Sequence, residues 1–462
     1  MRVKNPFGAA FSDLIFPENT QIVRMKEPER VSNPAQAIRN ALAEPIDSES
    51  LALIARTKRR GRKQKDGKSA QAVIVVSDNT RPVPYKGDEG LLLPIIDVLR
   101  GEGYGIADIL VLIATGTHHD MSLAEIEAMI DPAVLKTGVR VENHQCTNKS
   151  LLTFIGSTKR GTEILLDSRY VEADLKIATG LVETHFMAGA SGGRKAVCPG
   201  LIGEQSTYIF HSVRLLDDPN ARDLNLQANP VHEEAVEVAG IAGIDFLVNV
   251  TLDNAFHITG IFCGHYLTAH DAAVAHIKKV VEVSAKEADI VVTHAGFVGK
   301  NHYQCAKCAL ACLGILKKGG YLVILADTID AGNIIGGINY RATVALLTLI
   351  GPDNFMKLIK SPDWIFLPEQ WQVQMWCKVF EHIPMDHMIL YAPQLDASSW
   401  QGLPGVNGAR FLSAEKNTRS NPACYDGVVQ GALEYIHRQT GKKPGEMPVS
   451  WICDGPYVIP KT

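Results

Sequence analysis

The sequence predicts an α/β protein of two domains with mainly parallel sheets. Three observations carry that prediction. Short apolar runs, such as Ala72–Val76 and Leu175–Ala178, are bounded by turn residues and alternate with helical patterns, as strands buried on both faces do. The chain has 462 residues, too many for one hydrophobic core. Polar and glycine-rich clusters follow the strand ends directly, where open parallel sheets hold their ligands.

The elements follow in order. Residues 19–27 read as a strand and 33–55 as one or two short helices. The run Lys58-Arg59-Arg60-Gly61-Arg62-Lys63-Gln64-Lys65 reads as a solvated loop broken at Gly61 and Gly67. No aromatic residues interleave with its charges, which argues against a nucleic-acid patch. The alternation starts with strand Ala72–Val76, helix Glu89–Arg100, strand Ile106–Ala114 and helix Ser122–Ile130. Val139–Glu142 and Leu175–Ala178 read as further strands. Gln205–Leu216 and Glu233–Ala242 read as helices, and Phe246–Asp253 and His257–Cys263 as strands. Thr268–Ser284 reads as a helix with His270 and His276 on its surface.

A domain boundary is expected at 284/285, just before strand Ile290–Val292. Helix Asn301–Leu316, strand Tyr321–Ala326, helices Tyr340–Leu349, Asp353–Lys360 and Gln370–His382, and strand Met388–Tyr391 follow. The expected domains are thus 1–284 and 285–415. The tail 416–462, with the helix Gly427–Gln439, is expected to pack back on the first. Cys305, Cys308 and Cys312 fall at i, i+3 and i+7 of an apolar helix, a pattern for core packing rather than a metal centre.

Composition narrows the function classes. Apolar residues make up 46% and charged residues 21%, ordinary for a globular protein. A net charge of -4 gives no global reason to bind nucleic acid. No apolar run approaches the ~20 residues of a membrane span. The start, Met1 to Pro6, lacks the apolar core of a signal peptide. Nine scattered cysteines fit reduced thiols, so the expected location is the cytoplasm.

The chemistry concentrates in Glu183–Gly200, after the apolar run Leu175–Val182. Four glycines within twelve residues (189, 192, 193 and 200) let the backbone turn sharply and approach a ligand. Ser191, Arg194 and Lys195 add a hydroxyl, a planar cation and a nucleophilic amine. The spacing is neither a Walker loop nor a GxGxxG fingerprint. Two other strand ends carry Ser77-Asp78-Asn79-Thr80-Arg81-Pro82 and Ala114-Thr115-Gly116-Thr117-His118-His119-Asp120.

Together these motifs resemble the lactate racemase family of nickel-dependent 2-hydroxyacid racemases and epimerases. The matching pieces are residues 77–82, 114–118 and 185–200, with His211 sixteen residues after Lys195. Tyr303-Gln304-x-x-Lys307 and Trp371-x-x-Gln374 match further on. The resemblance implies two α/β domains with the active site in the cleft between them. It implies a nickel pincer nucleotide, pyridinium-3-thioamide-5-thiocarboxylic acid mononucleotide, tethered to Lys195 and made by separate cofactor-synthesis proteins. His211 would ligate nickel, and His118 and His185 would be the acid/base pair. Ser191, Gly192, Gly193, Arg194 and Tyr303 would hold the cofactor. Asp78, Arg81, Gln304, Lys307 and Trp371 would hold a small 2-hydroxy acid.

Two departures bear on the substrate. His119-Asp120 stands where members commonly carry Arg-Pro, and Thr184 where proline is common. They point to an acid larger or more polar than lactate, such as a sugar acid. Two other readings stay open on sequence alone: an NAD-dependent 2-hydroxyacid dehydrogenase and a non-catalytic hydroxy-acid-binding protein.

Overall fold

A computed structural model describes residues 1–4, 13–413, 417, 424–443 and 445–462. Residues 27–279 form one compact unit, and residues 1–26 with 280–462 form another. The division falls inside the helix Thr268–Val281.

The 27–279 unit is built on a six-stranded sheet. Its strand order is Ile258–Gly264, Phe246–Leu252, Leu175–Leu181, Ala72–Ser77, Ile109–Ala114 and Arg140–Asn143. All neighbours are parallel except the first pair. The Ala72–Ser77 and Ile109–Ala114 strands are apolar on both faces because helices cover them. Leu92–Gly101 is one such helix, burying Leu92, Ile95, Ile96 and Leu99 at helical spacing.

The basic run expected as a loop is instead the second half of a helix, Leu51–Asp66. Ser50 caps its start through the Leu53 N–H, and Leu51 and Ala55 anchor it to the core. Gly61 costs about 1 kcal/mol of helix propensity, too little to break a capped and anchored helix. The charges also find partners: Arg56 pairs with Glu102, Lys58 with Asp245, and Arg62 with Asp174. Gly67, in the left-handed region at φ 74°, ends the helix.

The second unit carries a six-stranded, wholly parallel sheet. Its order is Val406–Asn407, Met388–Tyr391, Leu316–Leu325, Ala288–His294, Val449–Ile452 and Gln21–Val23. This corrects the expected place of the tail. The Val449–Ile452 strand is buried throughout and inserts beside Ala288–His294, with Ile290 opposite Val449. Helix Cys424–Thr440 buries Tyr425, Val428, Val429 and Ile436 against the same sheet. An apolar strand with two hydrogen-bonding edges needs a neighbour on each side, and Gln21–Val23 fills the far edge. The first residues therefore also belong here, not in the domain expected to begin at residue 1. The expected boundary at 415/416 falls outside the described residues.

Cys305, Cys308 and Cys312 are buried in helix His302–Cys312. Each thiol donates to a carbonyl of the preceding turn, those of Asn301, Cys305 and Cys308. His270 and His276 are not surface residues. His270 lies on the buried face of its helix with Ala269, Ala273, Val274 and Ile277, and His276 is half-buried. Among the described residues no helix is long and apolar enough to cross a membrane.

Candidate active site

The glycine-rich stretch is a folded-back turn at the end of the buried Leu175–Leu181 strand. Thr184 and His185 pair with Ala190 and Gly189 in a minimal antiparallel ladder. The Ser191 hydroxyl donates to the Leu181 carbonyl at 2.8 Å and accepts the Glu183 N–H at 2.8 Å, closing the turn. Gly192 sits at φ 71°, ψ -168°, a conformation open essentially to glycine alone. A Cβ there would stand 2.7 Å from Val182 Cγ2.

Two residues hold this turn from behind. Asn249, fully buried on the next strand, accepts the Gly193 N–H through Oδ1 at 2.9 Å. Its Nδ2 donates to the Gly180 and Val248 carbonyls, both at 3.2 Å. The His270 ring lies against Gly193, with Nε2 2.9 Å from the Ser191 carbonyl and 2.9 Å from Arg194 Nη1. Arg194 is itself buried and donates to the Ala188 carbonyl at 2.7 Å. Burial pushes its pKa down to about 9 against the opposing charges of Cys198 and Asp271. The guanidinium is a strut inside the turn, and Lys195 is the next residue on the short helix Gly193–Ala196.

Lys195 Nζ lies 3.0 Å from His185 Nε2. On the other side of that ring, Nδ1 accepts the Met187 and Ala188 N–H groups at 3.3 and 3.1 Å. Nδ1 is thus an acceptor there, and Nε2 is the ring nitrogen that faces the lysine amine. His211 ends the helix Glu204–Phe210 and donates from Nδ1 to the Thr207 carbonyl at 3.0 Å. Burial, then the charge of Lys195, push its pKa down to about 3; the Thr207 bond opposes them and the charge of His118 adds a further small push. His211 is therefore neutral near pH 7, with its lone pair on Nε2.

The other two polar strand ends meet each other. Ser77 and Ala114 are register partners on adjacent parallel strands. Asp78 follows the first and His118 the second, and Asp78 Oδ2 is 2.6 Å from His118 Nδ1. Arg81, half-buried in the same loop, contributes charge to Asp78. His119 is exposed, with Nε2 3.2 Å from Glu125 Oε1.

In the second unit, Tyr303, Gln304 and Lys307 lie on helix His302–Cys312, and Trp371 on helix Gln370–His382. Trp371 Nε1 donates to the Tyr303 hydroxyl at 2.7 Å. Gln372 Nε2 donates to the Tyr303 carbonyl at 2.6 Å.

Residues 7–223 match the model of the lactate racemase N-terminal domain. A lactate racemase of Thermoanaerobacterium thermosaccharolyticum is 30% identical over 346 residues, covering 74% of this chain and 76% of that protein. The chain belongs to the lactate racemase family. A second member, the lactate racemase of Lactiplantibacillus plantarum, is 29% identical over 363 residues, 78% of this chain and 80% of its own. The structure of the lactate racemase apoprotein from T. thermosaccharolyticum superposes with a TM-score of 0.83 at 26% identity, covering 100% of both chains. A protein from Thermotoga maritima shares the fold, with a TM-score of 0.60 at 15% identity over 90% of this chain and 99% of its own. As a member of the lactate racemase family the chain is an isomerase of the racemase type. The dehydrogenase and the non-catalytic binder give way.

Against the lactate racemase motifs, sequence reasoning missed Asn249 and His270. Asn249 had a signal, since it is the one amide in the apolar strand Phe-Leu-Val-Asn-Val. His270 had one too, because it shares the helical spacing of the buried positions 273, 274 and 277. Glu369, at the N-cap of the Trp371 helix, is left-handed at φ 70°, and its carboxylate accepts the Tyr340 N–H.

Proposed function

We propose that this chain inverts the C2 stereocentre of a 2-hydroxy acid through a 2-keto acid, using a nickel pincer nucleotide tethered to Lys195. The observation that carries the reading is that Lys195 meets His185 at 3.0 Å while the charges of Lys195 and His118 both reach the buried, neutral His211. The α-hydrogen of a hydroxy acid is a very weak acid, so removing it as a proton is hard. Removing it as hydride is easier once the hydroxyl proton has gone to a base. The cofactor, when bound, supplies the hydride acceptor and donor.

The donor set fits such a group. His211 offers a neutral imidazole nitrogen, a good nickel ligand. Among the described residues no three His, Cys, Asp or Glu side chains converge to hold a metal. A nickel ion held at His211 would draw its remaining donors from the cofactor itself. His185 Nε2 lies 3.0 Å from the Lys195 nitrogen, which fixes the position of the amine that would attach the cofactor.

His118 and His185 act as the two bases, one for each hand of the alcohol. Histidine suits because its ordinary pKa of ~6.5 lets it take and return a proton near neutrality. Arg81 offers the planar fork that grips a carboxylate. The family resemblance assigns Ser191, Gly192, Gly193, Arg194 and Tyr303 to the cofactor, and Gln304, Lys307 and Trp371 to the substrate. Arg194, buried under the turn, serves the cofactor by holding Lys195 in place. The polar His119-Asp120 pair beside His118 supports a substrate larger or more polar than lactate, such as a sugar acid. The nine cysteines are free thiols, which supports a cytoplasmic enzyme supplied by cofactor-synthesis proteins.

The test is the fate of the C2 hydrogen. With holoenzyme and substrate deuterated at C2 in ordinary water, the inverted product should keep its deuterium. Rapid exchange with solvent would mean direct proton abstraction and would sink the hydride route.

A further inference from the structure

We infer that Asp78 is a positioning residue for His118 and not a substrate ligand. The inference deepens the proposed function, since it rests on His118 acting there as acid/base.

Both oxygens of Asp78 are already engaged by the chain. Oδ1 accepts the Thr80 hydroxyl at 2.6 Å and the Thr80 N–H at 3.2 Å. Oδ2 faces His118 Nδ1 at 2.6 Å. The side chain is 6% exposed, which leaves little of it for a substrate. Burial raises its pKa, but the His118 bond and charge, the Thr80 hydroxyl and the Arg81 charge outweigh burial and hold it below the ordinary carboxylate range. An ionised carboxylate only accepts, so the hydrogen between the two groups sits on His118 Nδ1. The lone pair of the neutral ring is then on Nε2, and the His118 side chain, 56% exposed, presents that edge outward.

The backbone makes this pairing a property of the sheet. Ser77 and Ala114 are opposite one another, Asp78 is the next residue on its strand, and the His118 N–H closes a turn onto the Thr115 carbonyl at 2.9 Å. The Ser77 N–H donates to the buried Tyr85 hydroxyl at 2.9 Å, which fixes the Asp78 side. The titratable groups that bear on the pair are Arg81 and Tyr85 from the Asp78 loop, and His211 from the helix ending at Phe210. None of them occupies the Asp78 Oδ2 to His118 Nδ1 line.

An amide at position 78 makes the inference testable. Thr80 presents an N–H and a hydroxyl to Oδ1, so the amide oxygen of Asp78→Asn stays on that side and its NH₂ group turns to His118. Nδ1 must then accept, and the ring hydrogen moves to Nε2, the nitrogen needed as base.

The experiment is ¹⁵N NMR of histidine-labelled apoprotein, with His118 assigned by its loss in His118→Gln. The wild type should carry its hydrogen on Nδ1, and Asp78→Asn should carry it on Nε2. In the loaded enzyme Asp78→Asn should lower kcat by about 10²–10⁴-fold, the worth of a general base, with KM nearly unchanged. A wild-type ring protonated on Nε2 overturns the inference without any variant. So does an Asp78→Asn enzyme that raises KM and spares kcat, because that is the behaviour of a substrate ligand. Full activity in His118→Gln would instead remove the base assignment of the proposed function, whatever the tautomer spectra show.

Discussion

Asn249→Leu is the sharpest test of how the glycine turn is held. Leucine has the branching and the heavy-atom count of asparagine but neither its donor nor its acceptor. The buried Gly193 N–H loses its partner, which costs about 1–3 kcal/mol. The donations to the Gly180 and Val248 carbonyls are lost too, at about 1 kcal/mol each. The sum is about 3–5 kcal/mol. At about 2–4 °C per kcal/mol for a unit of this size, the melting temperature should fall by roughly 6–20 °C. Scanning calorimetry on apoprotein reads this directly, without cofactor. A variant melting within about 2 °C of wild type, small on that scale, would show that the turn is held by something other than Asn249.

Two further outcomes are expected. Lys195→Ala should abolish the mass difference between loaded and unloaded protein in intact-mass spectrometry, and survival of that difference would place the attachment elsewhere. Burial pushes the His294 pKa down to about 4, against an opposing bond to the Cys453 carbonyl. The unfolded chain then takes up a proton before the folded one does. This contribution to stability is complete above about pH 6.5 and is lost as pH falls toward 4, about 3 kcal/mol in all. His294→Gln should flatten the fall in unfolding free energy over that window, and parallel curves for the two proteins would refute the assignment.

The legible parts of this chain were those where one residue type does one job. Buried parallel strands such as Ala72–Ser77 read directly, because covering both faces makes every position apolar. The Lys195 turn read directly because consecutive glycines have few other uses. What stayed hidden depended on contacts between distant residues. Gly61 and Gly67 read as breakers, and nothing near Lys58 in sequence tells that Asp245 will pair with it, so the basic helix looked like a loop. Nothing near Val449 tells that it will lie between Ala288–His294 and Gln21–Val23. Asp78 was legible as a polar residue at a strand end, but its contact with His118, forty residues on, was not, because a motif gives the residue without its hydrogen-bond partners. Asn249 could have been suspected from its apolar surroundings, yet only the observed bond to Gly193 says which loop it serves.

The pairing of Gln21–Val23 with Val449–Ile452 sets a timetable for biosynthesis. The side-chain bond between Gln21 and Ser450 spans 429 residues. At about 5–20 residues per second, the first strand emerges on the order of 20–90 s before its partner exists. The 27–279 unit is complete long before that and can fold as an insertion while both flanks of its host wait. During that interval the apolar strand Ala288–His294 lacks one of its two neighbours, so a ribosome-associated chaperone has a defined edge to shield. A ribosome stalled just short of residue 449 should hold the inserted unit protease-resistant and the host unit still open to cleavage.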